Sequence, residues 1–113
     1  MTCIAVYTTV STRDEARRIG RALVERRLAA CAQITEIESF YRWACALQHD
    51  TEFRLMLKTT DERYDAIEHA IRELHGYGLP AIYALPLGRV YAPYAEWVER
   101  ESSGTSDAPG DGA

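Results

Sequence analysis

Three cysteines and three histidines are the soft metal donors of this 113-residue chain, and they stand far apart in it. Cys45 and His49 share a short stretch with Asp50 and Glu52. Thiolate and imidazole are both good ligands for copper or zinc. A closed structural site needs about four donors, so a stable site here would borrow ligands from other subunits. The carboxylates of the same stretch offer a loose oxygen site for a divalent ion; a solvated polar turn explains them as well. His75 ends a helical pattern, where it could touch a metal or ligand in a cleft shared with Tyr77 and Lys58. The same position suits a histidine that only meets the negative end of a helix dipole. Lys58 is either a pocket residue or half of an interface ion pair with Glu36, Glu38 or Glu52, since lysine is seldom buried without a partner. Cys31 reads as a small buried apolar side chain. The candidate metal ligands are therefore His75, Cys45 and His49, for Cu2+ or another divalent cation. The candidate pocket residues are Trp43, Lys58 and Tyr77. No G-x-S-x-G, glycine-rich phosphate loop or H-E-x-x-H occurs, so no enzyme is read.

Composition narrows the setting. An apolar fraction of 47% and a charged fraction of 27% suit one globular domain. A net charge of −4 argues against a general nucleic-acid binder. Arg13, Arg17, Arg18, Arg21, Arg26 and Arg27 crowd one segment but alternate with acids, as on a solvated helix face. The odd cysteine count, without C-x-x-C, predicts no disulfide framework. No signal-peptide pattern or membrane-length apolar run is present, so a cytoplasmic protein without a membrane partner is expected.

The elements that must position these residues follow from pattern. Cys3–Val10 is β-branched and bounded by Ser-Thr, a buried strand. Thr12 opens a capping box with Glu15, and Ala16, Ile19 and Leu23 continue a helix to about Arg27. Residues 31–43 alternate without Gly or Pro, with Gln33, Thr35, Ile37, Ser39, Tyr41 and Trp43 on one side. A turn is expected over residues 44–50, then a strand over 51–59. Thr59 and Glu62 form a second capping box for a helix carrying Tyr64, Ile67, Ile71 and Leu74, closed by Gly76 in the left-handed C′ position. A strand over 79–87 and a short helix starting near Pro93 complete a β-α-β-β-α-β order. That is an α+β, ferredoxin-like sandwich with both helices on one face of an antiparallel sheet. Residues 102–113 are small and polar and predict a disordered tail after a domain spanning 1–101.

The second strand is too long for its cover. Thirteen residues span about 43 Å at 3.3 Å each, whereas the first helix covers about 25 Å. The overhang carries Phe40, Tyr41 and Trp43, and an exposed aromatic strand edge invites pairing with another chain. Closure of such pairing into a ring predicts a cyclic oligomer, a trimer being the compact choice. A strand that bulges and folds back on its own sheet is the alternative.

Several segments together resemble the CutA divalent-ion tolerance proteins. They are Leu28-Ala-Ala-Cys31-Ala, Ser39-Phe-Tyr-Arg-Trp43, Leu57-Lys-Thr-Thr60, His75-Gly-Tyr-Gly-Leu-Pro80 and Tyr94-x-x-Trp97, over about residues 1–101. The resemblance implies a ferredoxin-like subunit in a tight homotrimer, long hairpins packed between neighbours, and a role in tolerance of copper and other divalent ions. The chain departs from the family pattern at Gly76, where proline is usual, and at Ala81, where glutamate is common. Thr8 occupies a first-strand position at which some members carry a metal-binding cysteine. Two other readings stay open: a small-molecule sensor resembling PII signalling trimers, and a structural trimer that anchors a protein partner the sequence does not identify.

Overall fold

The computed structural model describes residues 2–104. Strand β1 is Cys3–Val10, helix α1 is Arg13–Glu25, and the hairpin strands are β2, Cys31–Trp43, and β3, Ala46–Thr60. A 3-10 turn, Asp61–Arg63, leads into α2, Tyr64–Leu74; β4, Ile82–Pro86, and α3, Ala92–Glu101, follow. The sheet is antiparallel in the order β2-β3-β1-β4, which leaves β2 and β4 as its edges. No helix among the described residues is long and apolar enough to cross a membrane.

Strand alternation sorts the side chains into two layers. Ile4, Val6 and Val10 of β1 and Leu55 and Leu57 of β3 meet Ile19 and Leu23 of α1 and Ile67 and Ile71 of α2 in the main core. The opposite face of the sheet carries a smaller cluster at one end, where Val98 of α3 covers Cys3 and Ala30. Helix α1 can lie close to the sheet because of Gly20. A Cβ there would stand 3.0 Å from Leu55 Cδ1 and 3.1 Å from Ala32 Cβ.

The ferredoxin-like order is as the pattern predicts, and β1 and β2 begin and end where expected. Four local expectations are corrected. The hairpin turns on Ala44 and Cys45 alone, with φ of 53° and 62°, the left-handed pair of a two-residue turn. Residues 46–50, expected in the turn, extend β3 instead. Neither turn residue is glycine or asparagine, so composition concealed the turn. The second capping box is not made: the Thr59 hydroxyl donates to the Leu28 carbonyl at 2.7 Å, and Thr60 stands at the cap without a side-chain bond. Burial of Thr59 against the α1–β2 connection outcompetes the cap. The end of α2 is closed by His75 in extended backbone, and Gly76 is not left-handed. Finally, Ser102, assigned by composition to the tail, is buried and donates to the Val98 carbonyl at 2.6 Å, while the Gly104 N–H donates to the Arg27 carbonyl. The rest of the expected tail, residues 105–113, lies outside the described residues.

The hairpin projects beyond the rest of the sheet. β1 pairs with β3 only as far as Phe53, so, among the described residues, residues 46–52 have β2 residues 37–43 as their sole strand neighbour. At about 3.3 Å per residue this two-stranded ribbon overhangs by about 23 Å. Phe40, Trp43 and Leu47 on it are 64%, 56% and 68% exposed.

Candidate functional site

At its root the ribbon forms one wall of a groove. Ile37, Ser39, Tyr41 and Trp43 point to one side of β2 by alternation, and the register sets Glu52 opposite Ile37. The segment after α2 forms the other wall, with Tyr77 and Leu79 facing the strands across a space of about 670 Å³. That volume lies within the usual range of small-molecule sites, roughly 300–1,000 Å³.

Three contacts hold the second wall in place. The Gly76 N–H donates to Glu15 Oε2 at 2.6 Å. Glu15 thus departs from the capping-box role: its own N–H donates to Thr12 Oγ1 at 3.1 Å, but its carboxylate crosses to the loop. A Cβ at position 76 would stand 2.8 Å from that carboxylate, so glycine permits the approach. His75 bridges two segments, with Nε2 2.8 Å from the Thr9 carbonyl oxygen and Nδ1 accepting the Tyr77 N–H at 3.1 Å. This pairing requires the Nε2–H tautomer, which donates to Thr9. The Tyr77 hydroxyl then donates to Glu52 Oε2 at 2.7 Å, tying the loop to β3.

Electrostatics follow this geometry. Glu52 is only 8% exposed, and the Tyr77 hydroxyl is its hydrogen-bond partner among the described residues. Burial, and next the hydrogen bond to Glu52, raise the Tyr77 pKa well above the ordinary phenol value. On the ribbon, the Tyr41 hydroxyl donates to Asp50 Oδ2 at 2.5 Å, and that bond pushes its pKa up to about 12.

The sequence-predicted residues are only partly brought together. Trp43 and Tyr77 line the same groove. Lys58 does not: its ammonium donates to Gln33 Oε1 at 3.1 Å and lies 5.8 Å from the Tyr94 ring centre, six positions along β3 from Glu52. Its expected glutamate partner is a glutamine instead. Cys31 is half-buried, with its thiol 3.8 Å from the Tyr94 hydroxyl. Both nitrogens of His75 are engaged within the subunit. Cys45 is exposed at the turn, and His49 lies four residues along β3, about 13 Å away by strand rise. The His49 ring stacks on Phe40 at 4.1 Å and its Nε2 is 2.7 Å from Glu38 Oε2. Among the described residues no group of three or more His, Cys, Asp or Glu is placed to hold a metal ion. Thr8 is fully buried in the sheet beneath the helices, away from the groove.

Sequence reasoning missed Glu52 and Tyr41 as groove residues. Parity along β2 placed Tyr41 beside Trp43, but locating Glu52 required the register, and the register depends on the turn.

Comparison with known proteins supplies the family. The model of the CutA1 divalent ion tolerance protein family matches residues 4–101. The chain belongs to that family. A divalent-cation tolerance protein CutA of Thermotoga maritima is 39% identical over 99 residues, 88% of this chain and 97% of the relative. Human protein CutA is 34% identical over 105 residues, 92% of this chain but 59% of its own length. Among solved structures, CutA from Synechococcus elongatus superposes with a TM-score of 0.87 at 37% identity, over 89% of this chain and 90% of that one. The periplasmic divalent cation tolerance protein CutA of Archaeoglobus fulgidus gives 0.86 at 31% identity, over 88% and 98%. The CutA1 match ends at Glu101, one residue before the buried Ser102. The whole hairpin, its projecting ribbon and the groove therefore lie within the part shared with the family.

Proposed function

We propose that this chain works as a homotrimer in tolerance of copper and other divalent cations, with its ligand-binding surfaces where hairpins of neighbouring subunits meet. The observation that carries the reading is the projecting ribbon. A two-stranded hairpin alone is marginal in water. Here its outer edge, β2, has no further strand beside it among the described residues, and its tip exposes Phe40, Trp43 and Leu47. A second copy laid against it covers the aromatics and completes the strand pairing, and a closed ring leaves no free edge. The part played in cation tolerance rests on the family, whose relatives carry that name. A cation site, on this reading, spans subunits. Cys45 and His49 are too far apart to share an ion within one chain, since metal–ligand bonds are about 2.0–2.3 Å, and the nitrogens of His75 are occupied. The expected compartment is the cytoplasm.

A second reading, a carrier or sensor of a small molecule, is favoured by the groove under the ribbon. Two measurements test the main proposal. Sedimentation velocity should give the mass of three chains. A strain lacking the gene should lose growth in graded copper chloride and regain it with the wild-type chain. A single-chain mass at micromolar concentration refutes the assembly, and copper tolerance untouched by the deletion refutes the role.

A further inference from the structure

We infer that α3 is a strap, pinned by Arg27, that opens as a unit and governs access to the Cys3 thiol. The device stands apart from the ribbon and its groove. Cys3 pairs with Thr60 at one end of the β1–β3 ladder, and the ribbon projects beyond Phe53 at the other. The first observation is how α3 is held. It packs on a cluster separate from the main core, and Val98 is its one fully buried side chain among the described residues. Elements with few buried apolar contacts open more readily than the core they rest on. The C-terminal end of α3 is fastened to Arg27. The guanidinium donates to the Arg100 carbonyl at 2.8 Å and lies 3.8 Å from Glu101 Oε1, and the Arg27 carbonyl accepts the Gly104 N–H at 2.8 Å. Arg27 is buried and stands just past the end of α1 with a φ of 59°, where the Leu28 N–H closes onto the Leu23 carbonyl at 3.0 Å. That closure usually takes glycine. An arginine there sets aside the backbone preference, and what its side chain supplies is the grip on α3.

The second observation is what α3 covers. Cys3 is 6% exposed and packs with Val98. Burial, and next the Glu99 carboxylate, push its thiol above the ordinary range. Glu99 belongs to α3 itself, so the closed strap both shields the sulfur and disfavours the thiolate, which is the reactive form. Opening lifts both restraints together. Tyr94 of α3 adds lighter holds: its ring centre lies 5.8 Å from the Lys58 ammonium, and its hydroxyl 3.8 Å from Cys31 Sγ. Cys45 sits on the hairpin turn, remote from α3 and exposed in the subunit, and serves as an internal reference. A thiol that is inert when strapped and reactive when released suits a response to soft metal ions or electrophiles, both of which seek thiolates.

The test is pulsed alkylation of the full chain with N-ethylmaleimide, read for each cysteine by peptide mass spectrometry. In the wild type Cys3 should react slowly but with a shallow dependence on urea, as local opening does and global unfolding does not. Arg27→Gly suits the left-handed turn and removes the grip, so it should speed Cys3 by about tenfold or more and leave Cys45 within about twofold. Arg27→Lys keeps a charged donor and should fall between. Thermal melting and amide exchange at Val6 and Ile19 report the main core and should hold near wild type. A Cys3 rate whose urea slope matches global unfolding overturns the inference, as does an Arg27→Gly rate within about twofold of wild type. Equal acceleration of Cys3 and of core exchange also overturns it, because the arginine then supports the whole fold and not the strap. Should Arg27→Gly fail to fold, Val98→Ala takes its place: trimming the buried contact of α3 should also speed Cys3 by about tenfold, and an unmoved rate counts equally against the strap.

Discussion

Replacing Phe40 and Leu47 together by serine removes the apolar cover from the face of the ribbon opposite Trp43 without touching the core. Phe40 is 64% exposed and Leu47 68% exposed in the isolated subunit. A phenyl side chain offers about 200 Å², so roughly 130 Å² of Phe40 is open to a partner, about 3 kcal/mol at 25 cal/mol/Å². Leu47 adds about 1.5 kcal/mol by the same measure, scaled from full burial of a leucine. The pair therefore contributes about 4.5 kcal/mol per subunit to assembly, or about three orders of magnitude in an association constant. Folding of the subunit should change far less, because both side chains already face solvent. Its main loss is the Phe40–His49 stack at 4.1 Å, worth about 1 kcal/mol. Sedimentation velocity over about three decades of concentration reads the first quantity, and thermal melting the second. Wild-type chains should hold their assembled mass where the double variant sediments as single chains with a folded spectrum. An association constant within about tenfold of wild type would refute the claim that the ribbon is an association surface.

Other perturbations test single contacts. Ala44→Asn with Cys45→Gly should raise stability by about 1–2 kcal/mol in thermal melts, since both positions sit at positive φ, 53° and 62°, where Asn-Gly is favoured; a lower melting temperature would contradict the turn. His75→Ala removes the bridge between Thr9 and Tyr77, so amide exchange at Tyr77 should speed up about tenfold or more, and unchanged exchange would mean the bridge holds nothing. Tyr41 should keep its proton to about pH 12, because its bond to Asp50 favours the neutral phenol. Its folded pKa lies above the unfolded value near 10, so its stabilising share is present below pH 10 and fades between pH 10 and 12. Ultraviolet titration of Asp50→Asn should bring that phenol back toward 10, and an unmoved curve would sink the assignment.

Much of the fold was legible because its signals are local. The β-branched run of β1, the Thr12 cap and the apolar stripe of α1 act over a few residues, and the uninterrupted alternation of β2 marks its whole length. The signals that failed were those with a tertiary competitor. Thr59 could cap a helix or bond the Leu28 carbonyl, and burial decided for the carbonyl. Gly76 could close α2 in left-handed backbone, yet it serves the approach of Glu15. The two-residue turn was hidden because alanine and cysteine carry no turn signal, although their φ values are those of glycine-rich turns.

The candidate site shows the same division. The residue types, Trp43, Lys58, Tyr77 and the scattered histidines and cysteines, could be chosen from the chain alone. Which of them meet depended on the register of β3 against β2 and on the path of the loop after α2. Register brings Glu52 rather than Lys58 to the groove with Trp43, and the His75 bridge carries Tyr77 there. By itself the sequence determined the order of elements and the excess length of the hairpin, since periodicity and strand rise are properties of consecutive residues. The groove and its buried carboxylate were decided only in three dimensions, because they join segments 25 positions apart through a hydroxyl whose partner no local pattern specifies.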